Sequence, residues 1–173
     1  MTASFSIRRL APPEARDAIP PLAEVLLDCV DGGASVSFMA DTSRADAEAF
    51  WRRQAEADDG RAILVAEDAD GIFGVVQVIP AGVPNQPHRA DVAKMLVHRR
   101  GRRRGVGEAL MRAAETEAAA MGKTVLVLDT VTGEAGERLY ERVGWTRVGV
   151  IPDYALLPDG QLCSTTYFYK ALA

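Results

Sequence analysis

The order Arg102-x-x-Gly105-x-Gly107 stands between an apolar run and an amphipathic one, within the stretch Asp91 to Met121 (DVAKMLVHRRGRRRGVGEALMRAAETEAAAM). Gly105 and Gly107 carry no Cβ, so a ligand can come close to the backbone amides that the first turn of a helix leaves unpaired. Those amides and the positive helix end suit a phosphate. Arg102, Arg103 and Arg104 add positive charge at the same point, which favours a polyanion such as a pyrophosphate over a single carboxylate. A dinucleotide fingerprint would need a third glycine where Leu110 stands, and no Gly-Lys-Ser/Thr follows to make a P-loop. Asp129, at the carboxyl end of the next apolar run, is a second candidate, because an acidic group beside a phosphate site is unusual.

The elements that must position these residues follow from apolar spacing. His88 to His98 is long enough for a buried strand, and Val106, Ala109, Leu110, Ala113, Ala114 and Met121 recur at helical spacing up to a stop at Gly122. Thr124 to Leu128 is a short buried strand, so strand, helix and strand form a parallel crossover. Upstream, Phe5 to Leu10 is a strand and Ala11-Pro12-Pro13 opens a helix that Pro20-Pro21 interrupts or restarts. Asp31-Gly32-Gly33 ends it, an exposed loop ASVSFMAD follows, and Ser43 caps a helix from Arg44 to about Ala57. Ala62 to Ala66 and Ile72 to Ile79, joined at Asp70-Gly71, form a hairpin. Downstream, Glu134 to Val143 is a helix, and Arg147 to Ile151 with Leu162 to Tyr169 closes the sheet as a second hairpin.

Composition narrows the class. The chain has 173 residues, 48% hydrophobic and 25% charged, which suits one globular domain over residues 1–173 with a sizeable core. A net charge of -4 argues against a general nucleic-acid binder despite the HRRGRRR run. Cys29 and Cys163 are too isolated for a disulfide framework or a metal site. No apolar run reaches the roughly 20 residues that cross a bilayer. Met1 is followed by no apolar leader, and a reducing cytoplasm is the expected setting.

The Arg102-x-x-Gly105-x-Gly107 turn after a strand ending in Leu96-Val97 resembles the coenzyme A signature of the GCN5-related N-acetyltransferases. Leu139-Tyr140 followed by Gly144-Trp145 is similar to that family's Leu-Tyr-x-x-x-Gly-aromatic segment, at a matching separation. Within the family, Val150 to Tyr154 and Asn85 to Arg89 resemble the tabtoxin-resistance type. The resemblance implies an α/β fold in one domain. Its sheet is mixed and mostly antiparallel, with a central parallel pair splayed at the acetyl-CoA site and helices flanking it. It implies acetyl transfer from acetyl-CoA to a primary amine of a small molecule, by direct attack in a ternary complex and without a metal. A protein or peptide acceptor, Lys or N-terminus, is the alternative within the class, and a noncatalytic coenzyme-A-binding regulatory module is the alternative outside it. No specific nucleic acid or membrane partner is expected, and a monomer and a homodimer are both compatible.

Carried over by position, Met95, Leu96 and Val97 contact the pantetheine through backbone, with Leu96 as the oxyanion amide. The pyrophosphate falls to Arg102, Arg103, Arg104, Gly105, Val106, Gly107 and Glu108, chiefly through amides. Tyr140 matches the residue that protonates the leaving thiolate; a phenol near its ordinary pKa of about 10 is in the acid form at neutral pH. Asp91 and Asp129 are candidates for accepting the amine proton or binding the cationic amine, with a salt bridge to Arg89 as the competing role for Asp91. His98 fits a solvated loop, and His88 is a lesser candidate for the acceptor pocket. Gly133 stands where the family often has Asn, and Gly136 where Ala is frequent.

Overall fold

The alternation of apolar residues in seven segments closes one twisted sheet, in the order β1-β2-β3-β4-β5-β7-β6 among the described residues. The computed structural model describes residues 4–172, so Met1 and the absence of a leader after it lie outside the described residues. In chain order the elements are β1 (Ser6–Arg9), α1 (Pro12–Asp17), α2 (Ile19–Asp31), α3 (Arg44–Ala55), β2 (Ala62–Asp68), β3 (Gly71–Pro80) and β4 (Arg89–Val97). A short 3-10 turn (Arg99–Gly101) leads to α4 (Val106–Ala120), β5 (Val125–Val131), α5 (Ala135–Arg142), β6 (Thr146–Leu156) and β7 (Leu162–Ala171). Every neighbouring pair is antiparallel except β4 and β5.

Each face of the sheet has its own core. Phe73, Val76, Leu110, Met111, Leu126, Tyr140 and Phe168 pack where α4 and α5 cover one face. Leu22, Leu26, Trp51, Val65, Val75 and Leu96 pack where α1, α2 and α3 cover the other. Strand period explains the division: Leu126 and Leu128 are buried toward α4 and α5, which turns Val127 and Asp129 to the α2 and α3 side. The prolines act at helix starts, Pro12 for α1 and Pro20-Pro21 for α2, and Ser43 caps α3 by accepting from the Asp46 amide.

The parallel pair is short. β4 and β5 are in register only from Arg89/Val125 to Asp91/Val127. Beyond that point β4 is bulged: Val75 and Gln77 of β3 are two residues apart while their partners Leu96 and Ala93 are three apart, and Lys94 within this step has φ 50°. A bulge bends its strand and raises the local twist. From here β4 leaves β5, and a slot opens between two strand edges. Asp129 lies inside β5, because the strand runs on to Val131 and not to Leu128 as its apolar residues suggest. Pairing with Thr165 to Tyr167 of β7 carries it through Asp129 and Thr130.

After β4, Gly101 packs directly on the buried Phe73 ring: a Cβ there would stand 2.3 Å from Phe73 Cδ2. The ring is also covered by the Arg100 and Arg104 guanidinium groups, 4.5 and 5.0 Å from its centroid. Gly101→Ala should therefore lower stability by about 1–3 kcal/mol by overpacking. Thermal unfolding measures it, and an unchanged melting temperature would show that the turn relaxes freely.

Candidate active site

The turn between β4 and α4 supplies one end of the site. Arg102 is extended, Arg103 has φ 59° and Gly105 has φ 78°, so the chain enters α4 through two left-handed residues. Gly105 is the N-cap of α4 and caps no amide with a side chain; the first helical bond is Ala109 N to Gly105 O at 3.0 Å. The amides of Val106, Gly107 and Glu108 thus face out of the helix end. No atom lies within 4 Å of a Cβ built at Gly105, while one at Gly107 would press Leu139 Cδ2 at 3.0 Å. Gly105 leaves the approach to the amides clear, and Gly107 lets α4 pack beside α5.

The arginines divide their work. Arg99 and Arg100 are held by Asp28, Asp31 and Asp68. Arg104, expected to add charge at the turn, has its guanidinium bonded to Asp68 at 3.4 Å and stacked on Phe73. Arg102 donates to Val97 O at 3.3 Å and stands 3.8 Å from the buried Asp28, which also takes the Arg99 amide at 2.8 Å. Arg103 is exposed and forms no ion pair among the described residues. Glu108 pairs with Arg112 at 3.7 Å along the helix surface. A pyrophosphate fits this turn through open amides, Arg102 and Arg103.

The slot supplies the middle. Met95 and Val97 lean toward the α4 core, and Leu96 is buried toward α2. His98 donates its amide to Phe73 O at 2.8 Å, and Leu96, two residues back and paired with Val75, turns its own amide toward β3 in the same way. The Leu96 amide is therefore engaged in the ladder, and the Val97 amide turns to the slot side, while Val97 O accepts from Arg102 Nε and Cys29 Sγ. Leu96, expected to offer the oxyanion amide, thus has its amide turned toward β3 and away from the slot.

Tyr140 and Asp129 flank the slot from opposite faces. Tyr140 is 6% exposed and packs on Phe168 and Trp145 at 5.8 and 6.2 Å between ring centroids. Burial, and then the Asp129 charge, hold its phenol well above the ordinary phenol range. Gly136 permits this packing of α5 on β5, since a Cβ there would meet Thr130 Oγ1 at 2.6 Å. Glu137 fixes the helix start, accepting from the Gly133 amide at 2.6 Å and Thr166 Oγ1 at 2.5 Å. Gly133 itself has φ 82°, a conformation that Asn also tolerates.

Asp129 accepts from Thr165 Oγ1 at 2.7 Å. It lines a cavity of about 320 Å³ with Ser37, Phe38, Tyr154 and Thr165. Tyr154 and Tyr167 share a 3.0 Å hydroxyl contact, which with burial and the Asp129 charge pushes Tyr167 up to about 12. Asp91 occupies the same face but is bonded to Arg89 at 2.6 Å in the closed part of the parallel pair. The structure thus brings Tyr140 and Asp129 together and leaves Asp91 in the salt bridge. His98 accepts the Arg100 amide at 3.2 Å and serves the turn, whereas His88 is exposed before β4, at the end of the sheet away from the slot.

Lys94 was missed by sequence reasoning, although a lysine inside an otherwise apolar central strand was a legible signal. Its ammonium donates to Ser37 Oγ at 3.3 Å and lies 5.6 Å from the Phe50 ring centroid. Among the described residues, four other than glycine have positive φ: Ser37, Lys94, Arg103 and Asp153. Ser37 lines the cavity, Lys94 sits at the bulge, Arg103 is in the turn and Asp153 precedes the cavity-lining Tyr154, and strained backbone concentrates in functional sites.

An open α/β sheet splayed at a parallel pair, with an uncapped helix end at one mouth and a phenol and a carboxylate on the two sides of the slot, is an arrangement suited to group transfer. The family model for the acetyltransferase (GNAT) domain matches residues 59–147. The chain belongs to this GNAT acetyltransferase family. Similar solved structures include a Salmonella typhimurium protein assigned as an acetyltransferase, determined with its cofactor acetyl-CoA (19% identity, 99% of this chain and 95% of that one, TM-score 0.80). An N-acetyltransferase from Staphylococcus aureus Mu50 is similar at 16% identity over 99% and 100% of the chains, with TM-score 0.81. A ribosomal-protein-alanine N-acetyltransferase from Brucella melitensis is similar at 19% over 96% and 99%, with TM-score 0.78. At these identities the likeness is one of fold. No metal-binding group of His, Cys, Asp and Glu occurs among the described residues, and no helix there is long and apolar enough to cross a membrane.

Gly105→Ala places a side chain at φ 78° over the open amides. The substitution should cost about 1 kcal/mol of stability and lower affinity for coenzyme A by about tenfold. Calorimetric titration of the folded variant checks it, and unchanged affinity would remove the turn from the site.

Proposed function

We propose that the protein transfers an acetyl group from acetyl-CoA to a primary amine of a small molecule. One observation carries this reading: the β4–β5 slot has the pyrophosphate turn at its mouth, and Tyr140 and Asp129 on its two sides. When bound, acetyl-CoA supplies an acyl group activated as a thioester. The turn amides from Arg103 to Glu108, with the side chains of Arg102 and Arg103, hold the pyrophosphate. The edge from Met95 to Val97 pairs with the pantetheine amides and orients the carbonyl.

The amine enters from the α2 and α3 side. Asp129, held by Thr165, takes its proton directly or through water, and Tyr140 on the opposite side donates a proton to the departing sulfur. The raised phenol pKa keeps Tyr140 in the acid form throughout the working range. Asp91 adds negative potential on the acceptor face.

A small acceptor is favoured over a peptide because the cavity is bridged. The loop at 34–42 is tied to the β6–β7 hairpin through Ser35 Oγ to Leu156 O at 2.8 Å and Ala40 N to Pro158 O at 3.1 Å. Tyr154, in the segment that resembles the tabtoxin-resistance type, stands on this cavity.

Tyr140→Phe should reduce kcat about 100-fold or more and leave affinity for coenzyme A unchanged, and Asp129→Asn should have a similar effect on kcat. Thiol release with a pool of small amines measures both. Binding without release by the wild type would favour a regulatory module, and release with peptides alone would favour the protein acceptor.

The sign of the Tyr140 shift fixes the alkaline side of the pH profile. A raised pKa extends the protonated form upward, so kcat/KM should rise as the amine deprotonates and show no Tyr140-dependent fall up to the ordinary phenol value of 10.0. A descending limb below that pH that disappears in Tyr140→Phe would contradict the assignment.

A further inference from the structure

We propose that Lys94 forms an anion subsite in the acceptor cavity, so that the acetyl acceptor carries a carboxylate close to the amine that is acetylated. The inference rests on the acetyl-transfer reading and adds the substrate class. The β4 bulge turns Lys94 out of the strand register at φ 50°, onto the α2 and α3 side. There its ammonium meets Ser37, itself at φ 75°, and the Phe50 ring. Two residues in an unfavourable conformation thus meet at one 3.3 Å contact between the central strand and the loop over the cavity.

Among the described residues, Ser37 Oγ is the only hydrogen-bond partner of this ammonium, and no carboxylate lies within the 4.0 Å of an ion pair. Asp129 is near enough to act on Lys94 through its charge but does not contact it. Burial lowers the Lys94 pKa and the Asp129 charge opposes that effect. A half-buried cation with one neutral partner is incompletely compensated, and an anion beside it supplies what the protein does not.

Ser37, which Lys94 contacts, and Asp129, which acts on Lys94 through its charge, both line the cavity, one from the 34–42 loop and the other from β5. A zwitterion therefore has one orientation: ammonium toward Asp129 and the slot, carboxylate toward Lys94 and the Ser37 hydroxyl. The reversed orientation sets like charges against each other at both ends. One ammonium and one hydroxyl match the two oxygens of a carboxylate, whereas a phosphate dianion calls for more donors or an arginine fork.

The test uses acetyl-CoA with amino acids and their matched carboxamides, which differ in the anion and keep the amine. Thiol release is measured, together with the shift in melting temperature of the coenzyme-A-loaded protein. The wild type should prefer the acid of a matched pair by about tenfold or more in kcat/KM, mainly through KM. Lys94→Gln should bring the ratio to about one, and Lys94→Arg should restore part of it. Equal use of acid and carboxamide by the wild type, or a preference that survives in Lys94→Gln, overturns the subsite. If no pair releases thiol while acetyl-CoA binds, the proposed function fails. The melting shift then decides the subsite by itself: a shift with acids that is lost in Lys94→Gln supports it, and no shift overturns it.

Discussion

The separation of β4 from β5 after Asp91 is the constraint on which the rest of the structure depends. In an ordinary sheet every strand edge is paired, because an unpaired amide or carbonyl inside a protein is costly. Here the pair is in register over three residues, and the bulge at Lys94 then takes β4 away. The cost is contained by strong pairing elsewhere: β4 remains on β3, and β5 remains on β7 through to Val131. Two edges are thereby held rigidly apart, with polar groups directed into the space between them. A ligand with amides of its own suits that space, as an added strand suits a sheet edge.

The same opening joins side chains from the two faces. A closed sheet would separate Tyr140, buried among Phe168 and Trp145, from Asp129, which faces the opposite core. The slot lies between the two faces, so the Tyr140 phenol and the Asp129 carboxylate flank one space without touching, and the Asp129 charge acts on the phenol. Their environments also differ. The phenol is desolvated, which raises its pKa, while the Asp129 carboxylate lies on the cavity wall and accepts the Thr165 hydroxyl hydrogen bond.

Charge is distributed by the same economy. An acidic protein concentrates arginines at one turn, and Asp28, Asp31 and Asp68 neutralise those that hold the turn in shape. Asp28 is buried at the end of α2 and draws together His98, Arg99 and Arg102. The turn is thus anchored to the helix that covers the acceptor face. What remains directed outward is a helix end and Arg103, with Arg102 at the edge of the turn, a focused rather than a diffuse positive site.

Most elements were legible in the sequence because local periodicity and local breakers control them. Apolar spacing set α4 and β3, Pro and Ser43 set helix starts, and the absence of Cβ at Gly105 set the phosphate turn. The helix that carries Tyr140 and its end at Gly144-Trp145 were legible from spacing. The tertiary structure alone decided what depends on pairing partners. β7 extended β5 through Asp129, and β3 engaged the Leu96 amide. Phe73 drew Arg104 away from the turn, and Arg89 claimed Asp91. Lys94 shows the difference most clearly: its charge in an apolar strand was written in the chain, but its direction came from a register mismatch between two strands, which local sequence does not encode.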